Sequence, residues 1–497
     1  MRKVINAQMV FRETDISAIR LDPKSRDDIP RLLRGLQHIY MQPELRERVF
    51  TILEDMRPVQ ADGKTLVSAE KGRPGMALLR ILVLGTMWLG LNADYDRIHD
   101  LANHHLVIRE MLGHGGWGEN TDQRYHLQTI KDNLRLFTPA ILDRINQEVV
   151  QAGHVLLKKK AEEGLSVRCD SFVVETRVHY PTDINLLLDA IRKTIETASQ
   201  ADPLLGSTTW RQWRYQLNRF KKSYRTLQKI KHSTAQDPQK RAAHEVRMRE
   251  AYADYLALAE QHVARATETA HALQAEGLSD AAQALEGYLK HARRQIDQIR
   301  RRVLRGEKIP HSEKVFSIFE PHTEWISKGK AGVPVELGLR VCIVEDQHRF
   351  ILHHAVMEQT TDDQLAVPMT QATQSRFSDV HSISFDKGFH SPANQAALRE
   401  ILPMVVLPKK GRPSAEEKRR ESDPEFVRLR HQHSAVESAI NALEQHGLDQ
   451  CPDHGVTGFK RYAALAVLAR NIHRLGAVLM AQEAEQRCIY RKTAYKV

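Results

Sequence analysis

The chain has 497 residues, with 73 Lys and Arg against 62 Asp and Glu for a formal net charge of +11. Hydrophobic residues make up 41% of it, enough for more than one core and too many for a disordered protein. The length predicts about two to four domains, and the basic surplus favours a polyanionic partner while also fitting a plain basic enzyme.

Cys169, Cys342, Cys451 and Cys488 are far apart and form no CxxC pair, which excludes a disulfide framework and a thiolate zinc finger. The first residues are basic but have no apolar run behind them, so no signal peptide is expected. The greasiest run, Ile81 to Leu91 behind Arg80, is well short of the ~20 residues needed to cross a bilayer. The expectation is a soluble intracellular protein with no membrane partner.

Residues 1–160 read as helical. Ile29 to Met56 and Gly75 to Leu91 carry helix-period apolar residues, with Ser68 or Pro74 able to start the second; Asp94 to Leu112 follows, ending at a glycine stop. This pattern fits a DNA-binding helix-turn-helix and a small helical bundle equally. At Leu165 to Val174 the chain turns β-branched and predicts a buried strand with Asp170 in its middle. A charge there is costly unless paired or metal-bound.

Ile184 to Arg305 predicts long helices. Ala282, Leu285, Leu289, Ala292, Ile296, Ile299 and Val303 repeat as a packing seam. Arg293, Arg294, Arg300, Arg301, Arg302 and Arg305 on the same stretch read either as a solvated face or as a rail for phosphates. Trp210, Trp213 and Tyr215 among Arg211, Arg214 and Arg219 read as helix packing or as base-stacking residues.

After Pro310 strands return. Val333 to Ile343 alternates strictly and Phe350 to Met357 pairs with it. A helix is expected at Asp362 to Ser375, a strand at Ile383 to Asp386, a helix at Ser391 to Glu400 and a strand at Met404 to Leu407. Lys409 to Pro424 reads as a polar loop, Phe426 to Leu443 as one helix stopped by Gly447, and Gly458 to Ala481 as a closing helix. Without the helical insert, this is the element order of an RNase H-like α/β core with a mixed five-stranded sheet.

In that order Asp170 is on the first strand and Asp386 ends the fourth. Glu437 sits about 100° around its helix from the Val436 stripe. The first and fourth strands are neighbours in such a sheet, so the three carboxylates converge. Clustered acids raise one another's pKa unless a cation joins them. Oxygen-only ligands suit Mg²⁺ or Mn²⁺, and two such ions about 3.5–4 Å apart support in-line phosphoryl displacement. Twenty-five histidines, including His353-His354 and His431-Gln-His433, show no zinc-ligand spacing. No GxxxxGK[ST] loop is present, so no nucleotide cofactor is expected. Glu175 and Asp183 read as supporting or capping residues, with Thr182 and Asp183 starting the helix at Ile184.

Four segments resemble a family. Cys169 to Leu187, with its run His179-Tyr-Pro-Thr-Asp183, is similar to the first-aspartate block of bacterial insertion-sequence transposases of the DDE type. Phe319 to Gly338 with Lys328-Gly-Lys330, Phe385-Asp-Lys-Gly-Phe-His-Ser391, and Ser434 to Glu444 with Gly458-Phe-Lys-Arg-Tyr462 and Ala469-Arg-Asn-Ile472 resemble its later blocks. The likeness covers roughly Val167 to Leu475 and is greatest to the ISNCY type. It implies an enzyme that binds terminal inverted repeats, cuts them and joins them to target DNA as a homo-oligomer in the bacterial cytoplasm. Asp170, Asp386 and Glu437 would be both the catalytic and the metal-binding residues.

The domains so implied are 1–160, helical and binding DNA ends; 161–183, the first core strand; 184–308, a helical insertion; 309–482, the rest of the core; and 483–497, a tail. Related groups carry an arginine four before the glutamate and a lysine seven after it, where this chain has His433 and Glu444. Candidate DNA contacts are Lys328, Lys330, Lys387, Lys409, Lys410, Arg412, Arg430 and His433, with Arg428 beside them. The rival readings are a metal-dependent nuclease without strand transfer and a non-catalytic, transposase-derived DNA-binding protein.

Overall fold

The computed structural model describes residues 3–5, 15–57, 75–114, 123–157, 163–232, 237–327 and 335–494. The chain divides into two compact units, Met1–Arg177 with Ile326–Val497, and Val178–Trp325.

The first unit opens with helices α1 (Ile29–Met41), α2 (Pro43–Glu54), α3 (Leu78–Gly90), α4 (Tyr95–His104), α5 (Leu106–Met111), α6 (Leu127–Leu134) and α7 (Pro139–Leu156). The single helix expected over Ile29 to Met56 is two, because Pro43 has no N–H to continue the ladder and Gln42 is extended. The expected helix starts at Ser68 and Pro74 lie outside the described residues. Strand β1 (Leu165–Thr176) follows. The helices are not a separate module. Leu32, Leu82 and Ile145 belong to the same buried cluster as Val167, Ile343 and Phe385, since α3 is apolar on every side and must be enclosed.

The second unit is helical: α8 (Asp183–Ala201), α9 (Trp213–His232), α10 (Pro238–Ala275) and α11 (Ser279–Ile299). Thr182 caps α8 by accepting from the Asn185 N–H at 3.3 Å. Phe220 of α9 stacks on Tyr255 of α10 with ring centroids 4.7 Å apart. The α11 seam is buried from Ala282 to Ile299. The unit runs on through 309–325, residues expected to belong to the core.

The arginines of the α11 stretch are largely neutralised. Arg293 pairs with Glu286 and Arg300 with Glu260; Arg301 meets Glu313 at 2.6 Å and Arg302 meets Asp183 at 2.6 Å. That favours the solvated-face reading over a phosphate rail. Trp210 is fully enclosed and its indole N–H donates to Thr269 Oγ1 at 2.9 Å, so it is a packing residue.

The remaining elements are β2 (Glu324–Ser327), β3 (Val335–Asp346), β4 (Ile351–Met357), α12 (Asp362–Arg376), β5 (Val380–Phe385), α13 (Pro392–Ile401), β6 (Met404–Val406), α14 (Ala415–Glu421), α15 (Pro424–His433), α16 (Ala435–Leu443), β7 (Gln450–Cys451) and α17 (Gly455–Ala494). The fold is mixed α/β with a seven-stranded sheet in the order β2-β3-β1-β5-β6, β4 joining β3 and β7 joining β1. The expected five strands become seven because β2 and β7 are too short to show a period. β1 runs antiparallel to β3 and parallel to β5. Cys169 and Cys342 are buried free thiols.

Three further expectations change. The loop from Lys409 to Pro424 contains α14, started by a reciprocal Ser414–Glu417 capping box. The helix expected over Phe426 to Leu443 breaks at Ser434, because Phe426 and Leu429 pack with Val406 while Val436 and Leu443 enter the main core. The closing helix runs from Gly455 to Ala494, taking in most of the expected tail. Among the described residues α17 is long and apolar enough to cross a membrane, yet 78% of its most apolar window is buried inside the fold.

Helices α1 and α17 touch backbone to backbone. A Cβ on Gly476 would lie 1.8 Å from the Arg31 carbonyl oxygen, and one on Gly35 would lie 2.3 Å from that of Ile472. Backbone atoms cannot turn aside as a side chain can. Gly476→Ala is therefore expected to cost about 3 kcal/mol, read as a lower urea midpoint at unchanged slope.

Candidate active site

Asp170 lies midway along β1. Alternation along this strand buries Leu165, Val167 and Cys169 and turns Ser166, Arg168 and Asp170 to the other face. The last parallel rung between β1 and β5 pairs Cys169 with Phe385. Asp170 and Asp386 are each the next residue along, so the middle of β1 and the end of its neighbour β5 carry them at one level. Asp386 then opens a single 3-10 turn, Lys387–Phe389.

Glu437 is in the first turn of α16, which lays Val436, Ala439 and Leu443 into the core and packs against β1. The break at Ser434 is what makes this a helix start. Asp386 and Glu437 are exposed, whereas Asp170 is half-buried.

The Asp170 carboxyl is pushed up to about 7. Desolvation is the largest cause, and the negative charges of Asp386, Asp362 and Glu437 add to it, while the Ser171 N–H at 2.8 Å partly opposes it. Both of the other sequence-expected acids thus act on Asp170. Arg168, on the same face of β1, donates to the Glu345 carboxylate at 3.1 Å.

Asp362, which sequence reasoning passed over as a mere helix start, is the fourth acid. It begins α12, accepts from Ser171 Oγ at 2.6 Å and pairs with Arg340 at 3.5 Å. Its position just after β4, in a helix that returns the chain to β5 beside β1, was the available signal.

The expected DNA contacts divide. Lys387 is exposed beside Asp386, and Lys410, Arg412 and Arg430 are exposed on the same half of the chain. Lys409 is taken up by Glu417 at 2.9 Å, and Arg428 by Glu425 at 2.5 Å. Lys328 and Lys330 lie outside the described residues. His433 is half-buried against β5, its Nδ1 3.0 Å from Ser384 Oγ. Desolvation holds its pKa below the usual imidazole range despite the nearby Asp386 and Glu437. A neutral imidazole supplies no charge to a phosphate, which weakens the expectation of His433 as a DNA contact.

Among the described residues no three His, Cys, Asp or Glu side chains form a group that could hold a metal ion by themselves. Mg²⁺ does not require one, because it commonly takes one or two carboxylates and completes its shell with water and substrate phosphates. The donor set fits such an ion: oxygen only, negatively charged, and with Asp170 under a repulsion from its acidic neighbours that a cation would relieve. No family model, no curated protein and no solved structure matches the chain.

Proposed function

We propose that the protein is a DNA transposase of the DDE type, with an RNase H-like core that binds terminal inverted repeats, cuts them and joins them to target DNA. The observation that carries this reading is that the charges of Asp386 and Glu437 both reach Asp170, the three being borne by the middle of β1, the end of the neighbouring β5 and a helix start. The strand order around β1, antiparallel β3 and β4 on one side and parallel β5 and β6 on the other, supports an RNase H-like core.

Asp170 and Asp386, with Glu437 across from them, would hold Mg²⁺ or Mn²⁺, two ions in the full site. Bound, such ions polarise the phosphodiester and lower the pKa of an attacking water or 3′-hydroxyl. The chain's own part is to keep Asp170 half out of water, where its charge acts strongly, and to fix Asp386 at the strand end. Lys387, exposed next to Asp386, is placed to meet the phosphate flanking the cut. Two ends must be held together, so the working form is a homo-oligomer on DNA, in the bacterial cytoplasm.

Duplexes from the DNA flanking the coding region test the reading. With Mg²⁺, precut ends should be joined covalently to a supercoiled plasmid. Cutting with no joined product would favour a nuclease, and end binding without cutting a non-catalytic DNA-binding protein. Wild-type affinity should also fall steeply with salt, by a log–log slope of about −0.9 per phosphate neutralised.

A further inference from the structure

Helix α9 carries seven Lys and Arg in its 20 residues and no Asp or Glu. Leu217, Phe220 and Leu227 turn inward to the helical core. Arg214, Arg219, Lys222, Arg225 and Lys229 are exposed and recur at helical spacing, so they form one stripe. The contrast with the arginines at and just beyond the end of α11 is the informative point: Arg293, Arg300, Arg301 and Arg302 are tied to acids, whereas among the described residues no ion pair engages any of these five. Arg219, Lys222 and Thr226 also line a groove of about 480 Å³ shared with α10, where Asp254 is the one acid among the described lining residues.

We propose that this face of α9 is a docking rail for the phosphate backbone of duplex DNA. The proposal rests on the DNA-acting function above and says which surface of the insert carries it. Five unpaired cations on one face leave a field that a polyanion neutralises, and counterion release drives the association. From Arg214 to Lys229 the stripe is about 22 Å long at 1.5 Å per residue, matching about six to seven base pairs at 3.4 Å each. A membrane surface fits less well, because the apolar residues that would enter the bilayer are spent in the core. The contacts are to backbone only, so the rail adds affinity without reading sequence.

The test uses the full chain, a random-sequence DNA duplex spanning several helical turns, and anisotropy titrations across a salt series. The variant R214Q/R219Q/K222Q/R225Q/K229Q should bind about 100-fold more weakly at moderate salt, with the slope of log affinity against log salt shallower by about 3 to 4.5. R293Q/R300Q, on α11 and just past its end, should leave the slope unchanged, and the charge-conserving R214K/R219K/K222R/R225K/K229R should restore it. An unaltered slope in the glutamine variant, or loss in the charge-conserving one, would overturn the rail while wild-type DNA binding stood. Tighter wild-type binding to phosphatidylserine vesicles than to the duplex would also overturn it. A wild-type protein with no salt-sensitive duplex binding would instead remove the DNA-acting function itself.

Discussion

Asp170→Asn, Asp386→Asn and Glu437→Gln should each lower end cleavage by about three orders of magnitude or more, while end binding stays within about threefold of wild type. Each substitution keeps the side-chain shape and removes a negative charge from the cluster. The three carboxylates are related by the β1–β5 register and by the start of α16 rather than by sequence proximity. A similar collapse from three separate elements would therefore identify one site. Asp362→Asn is the matched control: that acid is committed to Ser171 at 2.6 Å and to Arg340 at 3.5 Å, so its loss should cost about tenfold. Gel assays of strand cleavage, read beside anisotropy on the same duplexes, separate the two effects. Near-normal cutting by one of the three variants would take that residue out of the site.

Removing the charge of Asp170 should also stabilise the cation-free protein at pH 8. Its folded carboxyl titrates near 7, raised by desolvation and by three acidic neighbours, against about 3.9 in the unfolded chain. Between those values the native state binds the extra proton, so wild-type stability falls as pH rises from about 4 to about 7 and stays low above it. Asp170→Asn is free of that loss. It should be more stable than wild type by about 2 kcal/mol at pH 8 and no more stable near pH 4. Added Mg²⁺ should reverse the order at pH 8, because it binds the ionised wild-type cluster and finds less in the variant. Urea melts at the two pH values, with and without Mg²⁺, supply the comparison. A wild type indifferent to both pH and Mg²⁺ would mean that Asp170 is not strained.

Strand positions were readable wherever a period ran long enough. The alternation through β3 and the apolar run of β1 needed nothing beyond the sequence to be placed. The three acids were singled out through element order, and in the fold the charges of Asp386 and Glu437 reach Asp170. Asp362 was missed because a helix-start aspartate has an ordinary capping explanation. The break at Ser434 was missed because Phe426 and Val436 show the same hydrophobicity whichever cluster receives them.

The α9 and α11 helices show the same division. Both are rich in cations in the sequence, and the stretch from α11 to Arg305, with its dense arginines, was the one weighed as a phosphate rail. Its partners arrive from Glu260, Glu313 and Asp183, residues brought close by folding. Composition and periodicity settled most of where the chain is helical or extended and which faces are apolar, since these depend on neighbours within a turn or two. Which charges are cancelled and which left over was decided by the tertiary structure, because Coulomb energy depends on distance in space and on access to water, not on separation along the chain.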